Sequence, residues 1–172
     1  MLYTIIVFSE NKPGVLYRIA DLFLRRRINI ESMTVSEIEE QKMSRFTITV
    51  DADGALVEKI VKQIYRIIEV LKVIESTDSE LIVREVALYK VHVSSAEKQA
   101  QIHEIITMTK SSITHFSKGE VTITHTGTEE ETENLKSLLQ PFGLKEFVRS
   151  GRIAVTKKEH ALSGKWALEM DK

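Results

Sequence analysis

The sequence predicts an α+β protein built from two tandem βαββαβ units, and three observations carry that expectation. Along the 172 residues, apolar positions switch repeatedly between a two-residue period and i, i+3, i+4, i+7 spacing. The switches run through the same order twice. Between the two runs lies Glu75-Ser76-Thr77-Asp78-Ser79-Glu80, polar, turn-prone and without a periodic apolar residue. The expected boundaries are therefore a first domain over 1–76, a linker over 77–80, a second domain over 81–156 and a tail over 157–172.

Each element follows from local chemistry. Residues 2–8 are β-branched and aromatic and read as a strand, which Asn11-Lys12-Pro13-Gly14 breaks. Val15, Leu16, Ile19, Ala20, Leu22 and Phe23 then mark a helix of about three turns, with Arg25, Arg26 and Arg27 in its last turn against the negative dipole end. A second strand is expected from Ile28 to Val35. A charged loop from Glu37 to Lys42 leads to a third strand, in which Phe46, Ile48 and Val50 alternate with Arg45, Thr47 and Thr49, one face core and one polar. Asp51-Ala52-Asp53-Gly54 is a turn and helix entry, Leu56, Ile60, Val61, Ile64, Ile67 and Ile68 form the second helical stripe, and Val70 to Ile74 close the unit.

The second unit repeats the pattern. Val86 to Val93 alternates as a strand, Ile102, Ile105 and Ile106 mark a helix, and residues 112–126 form a hairpin. Leu135, Leu138, Leu139 and Phe142 make the last helical stripe, and Glu146 to Val155 supply a strand interrupted at Ser150-Gly151. With Lys118-Gly119 as a two-residue turn, Phe116 faces Val121, Thr114 faces Ile123, His115 faces Thr122 and His125 faces Ser112. That register puts Phe116, Val121 and Ile123 on one face and the two histidines on opposite faces. The tail keeps no recognisable period, and its lone Trp166 reads as packing on its own domain or as an anchor on a partner.

Composition narrows the function. The absence of cysteine excludes disulfide scaffolds and thiol catalysis. A formal charge of -1 gives no one-sided positive field for nucleic acid or an anionic membrane. Met1 to Phe8 lacks a basic n-region and a cleavage site, and no uncharged apolar run approaches the ~20 residues that cross a bilayer, so a cytoplasmic protein is expected.

Catalytic constellations fail on residue type or spacing. His103-Glu104 lacks a second histidine four residues on, and His92, His115, His125 and His160 have no partner at ligand spacing, so no metal site is expected. There is no phosphate loop and no Gly-x-Ser-x-Gly elbow. Glu39-Glu40 and Glu129-Glu130-Glu131 read as solvated or dipole-complementing carboxylates.

The one specialised stretch is Asn11-Lys12-Pro13-Gly14-Val15-Leu16, where strand end, tight turn and helix start are compressed together. A glycine at a helix mouth admits close approach to the backbone, and the free first-turn N–H groups suit a carboxylate. The Asn11 amide could accept from an ammonium group, and apolar residues of a neighbouring chain could hold an aliphatic side chain. A free amino acid combines these features; the plainer reading is a well-made turn.

These residues, with Leu22-Phe23, Asn29-Ile30-Glu31-Ser32-Met33-Thr34-Val35, Ser44-Arg45 and Arg149-Ser150-Gly151, resemble the ACT-domain small regulatory subunits of acetolactate synthase (acetohydroxyacid synthase) over residues 1–156. The resemblance implies two ferredoxin-like domains, the first an ACT domain, in a non-catalytic protein of branched-chain amino acid biosynthesis. It implies a homodimer through ACT domains, binding to a catalytic large subunit whose activity it raises, and feedback control by valine or a related amino acid. Asn11, Lys12, Pro13, Gly14, Val15 and Leu16 would form the effector loop, Asn29 and Ile30 would come from the neighbour's second strand, and Met33 and Val35 would lie near the interface. No cofactor would belong to this chain; thiamine diphosphate, magnesium and FAD would belong to the catalytic partner.

Two stretches depart from that family's usual pattern. Ser111-Ser112-Ile113-Thr114-His115 replaces its glycine-led hairpin start, and Arg26-Arg27-Ile28 replaces a helix-ending glycine, where positive φ is harder for arginine. Two other readings compete: a stand-alone ACT-type amino-acid sensor for another enzyme or a transcription factor, and a small enzyme with His115 or His125 as base.

Overall fold

Strands and helices follow one another where the hydrophobic period changes, in a computed structural model that describes residues 1–38 and 42–157. The first unit runs β1 (Leu2–Glu10), α1 (Val15–Leu24), β2 (Ser32–Ile38), β3 (Met43–Asp51), α2 (Gly54–Ile64) and β4 (Val70–Ser76). The second runs β5 (Leu81–His92), α3 (Ala96–Met108), β6 (Ser112–Ser117), β7 (Glu120–Gly127), α4 (Glu129–Leu139) and β8 (Leu144–Arg149), followed by β9 (Ile153–Thr156). The sheets are ordered β2-β3-β1-β4 and β6-β7-β5-β8, with β9 also pairing β5. Neighbouring strands on those two paths are antiparallel. This is the ferredoxin-like order, made twice. Residues 154–157 return to the first compact unit, Met1–Ile82, and Val83–Ile153 form the second.

In the first unit, Ile5 pairs with Ile48 and Val7 with Phe46, and the four are buried on the helix side. Val15, Ile19 and Phe23 of α1, and Val57, Ile60 and Ile64 of α2, close over them. Each fully buried side chain of this size contributes roughly 1.5–3 kcal/mol of transfer free energy. The opposite face is polar, as expected, yet shut off from water: Thr4, Thr47 and Thr49 are buried. Arg45 reaches from that face to the Ala154 carbonyl and stands over the Phe8 ring at 5.6 Å. The second core gathers Ala87, Tyr89, Val91, Val121 and Ile123 beneath Ile102, Ile106, Leu135 and Leu139.

Several expectations are corrected. The second strand begins at Ser32, not Ile28, because α1 ends in a Schellman motif that consumes the intervening residues. Ile28 N–H donates to the Phe23 carbonyl at 3.1 Å and Arg27 N–H to Leu24 at 2.9 Å, with Arg27 at φ 55° where glycine is usual. Ile28 and Ile30 are apolar because they pack on the core from a loop. The arginines follow the last turn instead of lying in it: Arg25 pairs with Asp21 at 2.7 Å, and Arg26 donates to the Leu22 carbonyl at 3.2 Å. The helix α2 stops at Ile64, and Ile68, expected on its apolar stripe, is 91% exposed.

The hairpin keeps Phe116 opposite Val121 and His115 opposite Thr122, but a bulge at Thr114 places Ile113 opposite Ile123 and Ser112 opposite Thr124. His125 instead sits on β7 beside Ala87 of β5. Glu39, Glu40, His160 and Trp166, with the tail from residue 158, lie outside the described residues. No helix among the described residues is long and apolar enough to cross a membrane.

Candidate effector site

The end of β1 is fixed on both sides by backbone bonds. Glu10 N–H donates to the Glu69 carbonyl and Asn11 N–H to the Lys42 carbonyl, each at 2.9 Å. The chain then turns through Lys12 and Pro13 to Gly14, which opens α1 at φ 86°, a conformation that disfavours a side chain. A Cβ at Gly14 would meet nothing within 4 Å, so the approach to this backbone is open.

No side chain caps α1 and no acidic residue occupies its first turn. Val15 N–H reaches back to the Lys12 carbonyl at 3.4 Å, so the N–H groups of Leu16 and Tyr17 and the positive dipole end remain available to an anion. Ion pairs frame the mouth: Lys12 with Glu10 at 2.5 Å and Arg18 with Glu69 at 2.7 Å. The Glu10 carboxylate raises the Lys12 ammonium, and the Arg18 guanidinium holds Glu69 below the ordinary carboxylate range.

The Asn11 side chain is held from β3. The buried Ser44 hydroxyl donates to Asn11 Oδ1 at 3.0 Å, which orients the side-chain NH2 as a donor. The amide thus suits a carboxylate better than an ammonium. Ser44 is the residue that the reading of the loop alone missed, although Ser44-Arg45 stood among the resembling motifs; Glu69 gave no signal in the sequence.

The remaining candidates divide. Val15 is buried in its own core, while Leu16 is 47% exposed beside the mouth. Met33 and Val35 pair with Ile48 and Phe46, so they point to the helix side of β2, and Val35 is exposed on that edge strand. Asn29 and Ile30 lie before β2. The Asn29 amide donates to Glu31 at 3.0 Å, and Ile30 packs inward.

The second unit supplies an internal control. His92 N–H and Val93 N–H bond to the Gly143 and Gly119 carbonyls, as Glu10 and Asn11 bond to Glu69 and Lys42. Val93 thus stands where Asn11 stands, and α3 is capped by Ser95, whose hydroxyl accepts from Lys98 N–H at 3.3 Å. Of the two units, the first alone leaves this mouth open.

Arg149-Ser150-Gly151 is explained by packing. Arg149 pairs with Glu129 at 2.9 Å and lies 3.5 Å from buried Glu85, which accepts from the Thr132 hydroxyl at 2.6 Å. Ser150 N–H donates to the Val86 carbonyl, and its Oγ accepts from Val86 N–H. The motif ties the end of β8 to β5 and α4.

His115 is exposed, whereas His125 is buried with Nδ1 3.0 Å from the Ser111 hydroxyl. Their positions across from and along β7 put them on opposite faces. Among the described residues no group of three His, Asp or Glu is placed to hold a metal ion.

Residues 5–72 match the AHAS small subunit-like ACT domain, and residues 84–158 match the domain described as small subunit of acetolactate synthase. The probable acetolactate synthase small subunit of Archaeoglobus fulgidus is 40% identical over 157 residues, 91% of this chain and 98% of that one. The acetolactate synthase small subunit of Mycolicibacterium smegmatis is 37% identical over 155 residues, 90% and 91% of the two chains. The crystal structure of the small subunit from Thermotoga maritima superposes with a TM-score of 0.84 at 32% identity, covering 92% of this chain and 99% of that one. With an ACT unit, a second ferredoxin-like unit and similarity along nearly its whole length, the chain belongs to the acetolactate synthase small-subunit family.

Proposed function

We propose that this chain is the regulatory subunit that binds the catalytic large subunit of acetolactate synthase, raises its activity and makes it responsive to valine or a related branched-chain amino acid. The carrying observation is the uncapped start of α1 at Gly14, with the Asn11 amide oriented as a donor beside it. The effector's carboxylate would take the α1 N–H groups and the Asn11 NH2. Its aliphatic side chain would lie against Leu16 and against Met33 and Val35 of a second copy. Met33 and Val35 lie on edge strand β2, whose outer backbone groups favour pairing with another strand.

Control would operate by linkage. An amino acid that binds one arrangement of the ACT dimer more tightly shifts the complex toward it, and ~1–3 kcal/mol of coupling gives a five- to hundredfold effect. We place thiamine diphosphate, magnesium and FAD on the catalytic partner. The match of the second unit disfavours a stand-alone sensor.

Calorimetric titration of the purified chain with valine, leucine and isoleucine, and co-purification with the thiamine-diphosphate subunit, test this reading. Saturable binding of one amino acid and a rise in acetolactate output are expected. No binding and an indifferent enzyme would refute it.

A further inference from the structure

Arg18, Arg25, Arg149 and Arg152 each pair with an acidic side chain. Arg45 is half-buried, yet among the described residues its guanidinium has a carbonyl, that of Ala154, and the face of the Phe8 ring as partners, and no carboxylate. Its Nε is buried without a hydrogen-bond partner. Burial lowers the guanidinium's pKa, and no neighbouring carboxylate counters it. A cation held in this way stabilises a fold poorly, since an apolar side chain of similar length would bury there without leaving a donor unpaired. Stability alone does not account for an arginine at this position.

The sheet sets Arg45 directly behind the candidate site. It lies opposite Phe8 of β1, the strand that runs into the Asn11 loop. It also follows Ser44, whose hydroxyl donates to Asn11 Oδ1 at 3.0 Å. Successive strand residues point to opposite faces, so Ser44 holds the amide on the helix side while Arg45 reaches Ala154 on the other. Ala154 is buried, and residues 154–157 belong to the same compact unit as Arg45. Lys157 N–H closes that segment onto the Glu80 carbonyl at 2.9 Å.

On the effector reading above, we infer that Ser44 and Arg45 form a two-residue relay, which couples occupancy of the Asn11 amide to the Arg45–Ala154 contact on the opposite face of the sheet. A carboxylate on the Asn11 NH2 draws on the amide that Ser44 holds, and a shift of Ser44 in β3 moves Arg45 with it. The element with two arrangements is the Arg45 side chain, bonded to Ala154 or released. A single donation that leaves Nε unpaired breaks and remakes more readily than an ion pair would. Arg45 is a positioning residue, because it touches no part of the effector. Coupling is reciprocal: whatever factor the effector applies to the Arg45 contact, that contact applies to effector affinity.

Hydrogen exchange of the full chain, with and without saturating valine, leucine or isoleucine, reads the relay at the backbone amides of residues 154–157. In the wild type, the amino acid that binds should change exchange there by about fivefold or more. Arg45→Met should abolish that response and shift the calorimetric affinity by a similar factor, while its urea midpoint equals or exceeds that of the wild type. Arg45→Lys, whose ammonium can still donate to the Ala154 carbonyl, should keep the response.

Exchange at 154–157 that is indifferent to a bound amino acid would overturn the relay and leave the effector site standing. An Arg45→Met chain that responds as the wild type does would overturn it too. So would one that unfolds at markedly lower urea, which would make Arg45 a structural residue. If no amino acid binds the wild type, the effector reading itself falls and the relay falls with it.

Discussion

Replacing Gly14 separates backbone strain from ligand binding. At φ 86° any L-residue pays roughly 1–2 kcal/mol, while a Cβ there meets no neighbour within 4 Å. Gly14→Ala should therefore lose about that much stability and change amino-acid affinity little. Gly14→Asp carries the same backbone strain, eased because Asp visits this region more readily than most residues. Its carboxylate, however, would occupy the open helix mouth. Two like charges about 5 Å apart repel by roughly 1–3 kcal/mol at the effective dielectric of a protein surface. That predicts a loss of effector affinity of about five- to 150-fold. Urea unfolding and calorimetric titration, run on both variants, read the two quantities independently. If Gly14→Asp binds the effector as tightly as wild type, the carboxylate does not sit on α1 and the reasoning is wrong. If Gly14→Ala gains stability, the left-handed backbone is wrong.

Other expectations follow from the same geometry. Arg27→Gly and Lys110→Gly should each stabilise the chain by about 0.5–1 kcal/mol, because both residues close helices in the left-handed region and glycine relieves that strain less its own entropy cost; a lower urea midpoint would refute this. Tyr89→Phe removes a buried hydroxyl that donates to the Thr132 carbonyl at 2.8 Å, and a loss of about 0.5–1.5 kcal/mol in unfolding free energy is expected. The Thr128 backbone N–H holds the Glu131 carboxyl below its usual range, so the stability it contributes is present above that range and disappears as pH falls through the lowered value. The melting difference between wild type and Glu131→Gln should accordingly narrow on acidification; a constant difference would count against the capping box.

Much of the architecture was legible because burial imposes periodicity. Val15, Ile19 and Phe23, or Phe46, Ile48 and Val50, cannot be rearranged without exposing apolar surface, so the order of elements followed from their spacing. Positions decided by backbone hydrogen bonding were not legible. Arg26-Arg27-Ile28 showed that a helix-ending glycine was replaced, but not that Arg27 would still take the left-handed position and close a Schellman motif, and that motif moved the start of β2. The bulge at Thr114 likewise leaves no trace in residue type, yet it reverses which of two neighbouring residues meets Ile123. At the candidate site, Gly14 was legible from its place between a strand and a helical stripe. The orientation of the Asn11 amide was not, because it depends on Ser44, 33 residues away.

The two units share one scaffold and differ at its mouth, which makes the second unit a test of the first. In both, the end of the leading strand is pinned by two backbone N–H donations to the neighbouring loops. The first unit then presents Asn11 and an uncapped helix, while the second presents Val93 and a helix closed by its own Ser95 hydroxyl. The Ser95 cap satisfies one of the first-turn N–H groups, that of Lys98, and places its side chain where a ligand's carboxylate would sit. Ser95→Ala should thus cost about 1 kcal/mol of stability, as the loss of a helix cap does, and leave the effector titration superimposable on wild type. Removing the cap exposes N–H groups without supplying the amide donor that stands at Asn11, so no second binding event should appear. A second event in Ser95→Ala would show that an open helix start is sufficient by itself. The Asn11 amide, held by Ser44, would then be dispensable to recognition.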